Sequence, residues 1–274
     1  MKRLVSILLA LVLILTMLGG CAKQAQKPAV KDSKKTEAVD KQSPEKAEKP
    51  DKGAAKNPLG AKSTPGEMYS AYLEMKSAFL ERVIDSVSQE APMSVIGLLG
   101  LSTADLMLIP ITLIGMDKGA IKAGLAVFGS DSDFQYNISG NNYTLSYKDN
   151  GETVLYEMEY NPAKQAAATK LSKGGKELMF FEYIKTSYGY ASQHYLVNDD
   201  GVFSVYMGTF YGSSEKPDGV VGVSEQLDAA PKSILSGTEP AKDLPKQCKT
   251  WFAIEGASGK GQNDDGSTFN FNVG

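Results

Sequence analysis

Tyr143-Thr144-Leu145-Ser146-Tyr147-Lys148-Asp149-Asn150-Gly151-Glu152-Thr153-Val154-Leu155-Tyr156-Glu157-Met158-Glu159-Tyr160 decides the fold. Tyr143, Leu145 and Tyr147 alternate with Thr144, Ser146 and Lys148, and Val154, Tyr156, Met158 and Tyr160 alternate with Leu155, Glu157 and Glu159. A period of two puts alternate side chains on opposite faces of a strand. Asn150 and Gly151 tolerate positive φ, so Asp149-Asn150-Gly151 closes the two strands into a hairpin.

The same rhythm runs outward in both directions. Phe134 to Ile138 precedes the hairpin, and Gln165 to Leu171, Glu177 to Lys185, Tyr190 to Val197 and Val202 to Tyr211 follow it. Gly174-Gly175, Tyr188-Gly189 and Asp199-Asp200-Gly201 supply the turns. Short connections make neighbouring strands antiparallel, which predicts a curved β-meander of about seven strands or more, a half-barrel or a barrel. Further on, the pattern predicts a strand at Val220 to Val223, a short helix at Glu225 to Leu235, and strands at Thr250 to Ile254 and Thr268 to Val273.

Upstream the period lengthens. Thr64-Pro65-Gly66-Glu67 reads as a capping box, with proline at the first helical position. Met68, Tyr72, Met75, Phe79 and Val83 then recur every three or four residues, widened by Tyr69, Leu73, Leu80, Ile84 and Val87. Glu74, Lys76, Ser77, Glu81 and Asp85 are assigned to the opposite, polar side, giving an amphipathic helix that ends near Ala91-Pro92.

Met93 to Met116 holds 24 residues with one charge, Asp105. Its length and apolarity permit a membrane span, but a mid-span aspartate costs about 3 kcal/mol, and Gly97, Gly100 and Pro110 interrupt it. Ser102 with Asp105 reads as a second helix start. The segment is therefore predicted as two short apolar helices, Val95 to Leu101 and Thr103 to Ile109. A turn at Asp117-Lys118-Gly119 and a further segment, Ala120 to Phe128, follow. The expected fold class is α+β: amphipathic and apolar helices on the N-terminal side, packed on a curved antiparallel meander. One domain is expected over residues 67–274, helical over 67–128 and β-rich over 129–274.

The chain begins with Lys2 and Arg3, a 15-residue apolar run from Leu4 to Leu18 broken by Ser6 and Thr16, and then Gly19, Gly20 and Cys21. This is the layout of a signal peptide, and the run is too short for a spanning helix. Leu18-Gly19-Gly20-Cys21 resembles the lipobox of bacterial prolipoproteins. That resemblance covers about the first 22 residues and implies cleavage after Gly20, a diacylglycerol thioether on Cys21, and anchoring on the extracytoplasmic face of the cell membrane. In a two-membrane cell, Ala22 rather than Asp after the cysteine implies the outer membrane. Each buried acyl methylene contributes about 0.8 kcal/mol, so two or three chains hold firmly.

Residues 22–66 carry 11 lysines and six acids with almost no large apolar side chains. Such a stretch cannot bury enough surface to offset its ordering entropy, so residues 21–66 are read as a lipidated cysteine and a disordered tether, averaging roughly 35 to 40 Å end to end. With Lys2 and Arg3 also set aside, the remaining chain holds 16 basic against 26 acidic residues. An acidic domain of this kind argues against nucleic acid as a partner.

Catalytic constellations are sparse. The chain has one histidine, His194, in mid-strand, and no Gly-x-Ser-x-Gly elbow. One histidine and Cys248 cannot make a zinc site; Cys248 is read as a half-buried structural thiol. Asp131-Ser132-Asp133 and Asn263-Asp264-Asp265-Gly266 are oxygen-rich but lack the glutamate that closes a calcium loop, so they are read as turns. Gly256 to Gly261 fails the phosphate-loop spacing. Glu157 and Glu159 share one strand face and are read as solvated. No enzyme activity, cofactor or metal is expected.

The remaining expectation is a binding protein whose aromatic face, Tyr143, Tyr147, Tyr156, Met158 and Tyr160, faces a cavity for a lipid-like, hydrophobic small molecule. The order of helix, apolar helices and meander resembles the half-barrel of lipoprotein-carrier and sensor proteins of the LolA type. The alternative is a structural or interaction lipoprotein with a dry core that docks another envelope protein. An envelope hydrolase, the third reading, lacks a catalytic set.

Overall fold

The meander is one antiparallel sheet of eleven strands in strict sequence order. In the computed structural model, which describes residues 63–90, 96–128, 133–198, 201 and 203–274, the strands are β1 (Gln135–Ser139), β2 (Asn142–Asp149), β3 (Glu152–Asn161), β4 (Ala166–Lys173), β5 (Lys176–Lys185), β6 (Gly189–Val197), β7 (Phe203–Gly212), β8 (Pro217–Leu227), β9 (Thr250–Glu255), β10 (Ser258–Gln262) and β11 (Thr268–Asn272). No pairing joins β1 to β11 among the described residues, so the sheet is open and the barrel alternative is corrected. Asp149 pairs with Glu152, leaving Asn150 and Gly151 as a two-residue loop with φ of 52° and 84°. Both central residues of a type I′ turn need positive φ, which explains the Asn-Gly choice.

The helices are α1 (Pro65–Glu90), α2 (Ile96–Leu108), a 3₁₀ turn (Ile109–Leu113) and α3 (Lys118–Ala126). The capping box forms as read. Thr64 N donates to Glu67 Oε2 at 2.9 Å, and Glu67 N donates to Thr64 Oγ1 at 3.2 Å. The two predicted apolar helices are one. Ser102 does not start a helix; its hydroxyl donates back to the Leu98 carbonyl inside α2, a bond serine makes readily in mid-helix. Asp117 is an N-cap rather than part of a free turn, accepting from Gly119 N and Ala120 N. Among the described residues no helix is long and apolar enough to cross a membrane.

One further correction concerns the C-terminal third. No helix covers 225–235: β8 runs on to Leu227, and an irregular strap follows to the 3₁₀ turn at Leu244–Gln247. Gly256 to Gly261 is the β9–β10 hairpin. Gly259 and Gly261 sit where any Cβ would meet the rings of Phe271 and Phe269, so the missing side chains make room for two phenylalanines.

Alternation assigns the faces. The inner face carries Met158, Thr169, Phe181, His194, Tyr206 and Val223 in one row across six strands. Tyr69 and Tyr72 of α1 lie with ring centroids 5.6 and 5.7 Å from Phe181, and Phe79 lies 5.4 Å from Phe210. On the outer face the strap is fastened by polar groups: Gln193 Nε2 donates to the Lys232 carbonyl, Thr209 Oγ1 to the Lys242 carbonyl, and Ser233 Oγ and Ile234 N to the buried Glu182 carboxylate. Coverage on both sides explains why β6 and β8 are buried almost continuously instead of alternately.

Candidate functional site

Leu18, Gly19, Gly20 and Cys21 lie outside the described residues. The five residues predicted to form an apolar ligand face share the inner side of β2 and β3. Tyr147, Tyr156, Met158 and Tyr160 are buried and Tyr143 is half-buried. They touch the chain itself. Tyr156 donates to the Met107 carbonyl of α2 at 2.6 Å, and Tyr160 to the Ser63 carbonyl at 3.3 Å. Burial pushes the Tyr156 phenol well above its ordinary range, with Tyr147 adding to the effect. Glu157 and Glu159 are exposed on the opposite face.

A second constellation lies on the neighbouring strands β4 to β6, under α1. Tyr69, Tyr72 and Lys76 follow one another at intervals of three and four, so they project from one side of the helix. Lys76 therefore belongs to the buried stripe and not to the polar side assigned from sequence. Its ammonium reaches Asp105 Oδ1 of α2 at 2.5 Å, and it lies 5.8 Å from the centre of the Tyr72 ring. The Tyr72 hydroxyl donates to Ser192 Oγ on β6 at 2.9 Å. A polar connection thus crosses the interior from α2 through α1 to the sheet.

Around it sit three side chains whose polar atoms are buried without a hydrogen-bond partner among the described residues: Tyr69 Oη, Thr169 Oγ1 and both ring nitrogens of His194. All three residues adjoin Phe181. Thr169 and His194 pair with it on either side across the sheet, and the Tyr69 ring packs edge-on above it. His194 also stacks on Tyr206 at 4.9 Å, whose hydroxyl lies against Gly100 of α2. Leaving a buried polar group unmatched costs about 1–3 kcal/mol, so this concentration in one place is unusual for a core.

The electrostatics follow from burial. Desolvation works against the Lys76 ammonium, but Asp105 beside it overrides this and holds its pKa above the usual value. Burial lifts the Asp105 carboxyl, with Lys76 opposing. Burial and then the Lys76 charge push His194 well below its ordinary value, so it is a neutral imidazole. Burial, reinforced by Asp105, raises Tyr69 well above its ordinary value. Among the described residues this part of the core therefore brings the Lys76 ammonium and the Asp105 carboxylate together with neutral groups that have hydrogen-bonding capacity left over.

His194 and Ser192 both face inward on β6, yet no hydrogen bond joins them, since the imidazole nitrogens have no partner. A serine nucleophile needs its base within hydrogen-bond reach, and this geometry does not provide that. Cys248 is fully buried rather than half-buried, and burial, offset in part by a hydrogen bond with Ser224, pushes its thiol up to about 11. Among the described residues no cluster of three or more His, Cys, Asp or Glu could hold a metal ion. No protein-family model, curated protein or solved structure matches the chain.

Proposed function

We propose that this chain is a lipid-anchored extracytoplasmic binding protein for an amphipathic, lipid-like ligand, held to the membrane through Cys21. The observation that carries the binding half of this reading is the group of unmatched buried atoms on Tyr69, Thr169 and His194, set in an aromatic interior beside an ion pair. A core selected only for stability gains nothing from such groups, because apolar residues of the same shape would avoid their desolvation. A binding site keeps them for the partner that completes them. The surroundings are apolar, with Tyr156, Met158, Phe181, Leu98, Leu101 and Leu108 buried in one core cluster, the side-chain chemistry that an acyl or similar chain requires. The anchoring half rests on the Leu18-Gly19-Gly20-Cys21 pattern.

One observation favours the alternative, a dry-cored lipoprotein that docks another envelope protein. The hydroxyls of Tyr156, Tyr160 and Tyr183 already donate to carbonyls of Met107, Ser63 and Pro65, so much of the aromatic floor is engaged by the chain's own helical side. Binding of a fluorescent polyene fatty acid and of its methyl ester to the purified full chain separates the two. Saturable binding of either probe, together with an amphiphile extracted from the protein as isolated, is the expected result. No binding of either probe and no extractable ligand overturns the proposal in favour of docking. For the anchor, Cys21→Ser is expected to move the protein from the membrane to the soluble fraction, or to leave it as the uncleaved precursor; unchanged lipid labelling refutes it.

A further inference from the structure

Among the described residues the most exposed large apolar side chains are Met116, Val127, Phe128 and Ile138, at 42, 62, 40 and 56%. All four lie on β1 or at the two ends of α3. The chain from Cys21 joins the domain at the same place. Gly66 N donates to the Ile114 carbonyl at 2.9 Å, and a Cβ on Gly115 would stand 2.7 Å from Thr64 Cβ. Gly115 N in turn donates to the Tyr136 hydroxyl of β1, two residues before Ile138 and therefore on the same strand face. Tyr160 donates to the Ser63 carbonyl, and Lys118 lines one surface cleft with Tyr136, so α3 begins beside β1. On α3 itself Ile121 and Leu125 pack inward. The outward side carries two exposed rows at intervals of four: Lys118, Lys122 and Ala126, and Gly119, Ala123 and Val127. This face has two lysines and no carboxylate, and Asp117 before it is engaged as the cap of Gly119 N and Ala120 N. Val127 lies about 13 Å along the helix from its start.

We propose that this side of the domain, α3 with Met116 and Ile138, docks on an anionic phospholipid bilayer, its apolar side chains entering the headgroup layer while Lys118 and Lys122 meet lipid phosphates. This rests on the anchor reading above, and the attachment point of the tether selects the occupant. With Cys21 in the membrane, the tether keeps this face within roughly 35 to 40 Å of the bilayer on average. At the resulting effective concentration a small patch suffices, although it would not hold an untethered domain. Exposed apolar side chains beside lysines are the chemistry of an interfacial helix, since a lysine stem covers apolar surface while its ammonium reaches the headgroups. Charge selects this face as well. Beyond the tether the chain carries 16 basic and 26 acidic residues, a balance that anionic lipid repels, whereas the outward side of α3 bears lysines and no acid.

The test uses the full chain purified from membranes and reconstituted on vesicles of phosphatidylcholine with about 30% phosphatidylglycerol. Val127→Trp puts a reporter on α3, and the wild type, whose Trp251 is buried, supplies the background. Lipids brominated in their acyl chains should quench this tryptophan about threefold more than that of Glu157→Trp, a reporter on the outer face of β3. Combining Lys118→Glu and Lys122→Glu with Val127→Trp should cut the quenching about threefold. Vesicle flotation is followed in parallel. A chain that floats but shows no quenching at Val127→Trp, equal quenching at both positions, or quenching untouched by the two lysine substitutions overturns the docking and leaves the anchor intact. A chain that fails to float overturns the anchor and the docking with it. A blue shift of the Val127→Trp emission that grows with protein concentration, without lipid quenching, assigns the patch to a second copy of the chain and overturns the bilayer as its occupant.

Discussion

Acidification should destabilise this protein through His194, and the size of the effect follows from its surroundings. His194 is 1% exposed, makes no hydrogen bond at either nitrogen, packs against the Tyr206 ring and the Phe181 edge, and feels the Lys76 charge, which further disfavours its protonation. Its folded pKa is therefore well below the unfolded value of 6.5. With the folded pKa depressed, the unfolded state binds the extra proton as pH falls, so stability is lost below about pH 6.5 at a slope approaching 1.4 kcal/mol per unit. Between pH 7.5 and 5.5 the loss is about 1.4 kcal/mol, or about 3–5 °C in melting temperature for a domain of this size. The Asp105 carboxyl, lifted by burial, also takes up protons as pH falls, so the assay is a difference. Urea unfolding of the wild type and of His194→Leu is measured at both pH values. The leucine variant should match the wild type within about 1 kcal/mol at pH 7.5, since it loses stacking on Tyr206 but removes two unmatched nitrogens. Its stability should fall by about 1.4 kcal/mol less on acidification. Equal pH slopes in the two proteins would refute the claim that His194 is buried neutral and unpartnered.

Two further outcomes test the fold itself. A Cβ on Gly222 would stand 2.2 Å from the Pro245 carbonyl oxygen and within 3 Å of the Cys248 side chain, so Gly222→Val should lift the strap from the outer face, lower stability by about 2–3 kcal/mol, and expose the Cys248 thiol to a thiol reagent. Thr64→Ala removes one arm of the capping box and should cost about 1 kcal/mol by denaturant midpoint, with Thr64→Ser restoring it.

Most of the meander was legible because each hairpin states its own rules. Asn150-Gly151 and Gly174-Gly175 mark two-residue turns by conformation, and β2 and β3 alternate cleanly enough to fix which side faces inward. The C-terminal strands were less legible for a physical reason. β8 and β9 are covered on both faces, so they do not alternate, and β10 contributes glycines where a strand normally carries side chains, because Phe269 and Phe271 fill that space from β11. The absence of a helix at 225–235 has a similar origin. That stretch is held by the Gln193 amide, which donates to the Lys232 carbonyl, and by the Glu182 carboxylate, which accepts from Ser233 and Ile234, contacts of high sequence separation that no local pattern records.

The buried polar centre shows what a period count leaves out. Lys76 looks like a polar-face residue when charge is used to assign the face, yet its spacing from Tyr72 and Val83, four before and seven after, places it in the apolar stripe. Asp105 carries the complementary signal as the sole charge between Met93 and Met116. Either charge alone reads as an anomaly to be explained away, by a solvated face in one case and a helix start in the other. Taken together they are mutually explanatory, because an ammonium and a carboxylate forced into apolar surroundings are tolerated chiefly when they meet. The ion pair was therefore available from the sequence as a pairing of two misfits. The unmatched groups of Tyr69, Thr169 and His194 were not, since a missing hydrogen bond is a property of three-dimensional surroundings. That division explains why the sequence pointed to the aromatic ends of β2 and β3, which the helical side engages, while the structure moves attention to β4, β5 and β6, where hydrogen-bonding capacity remains.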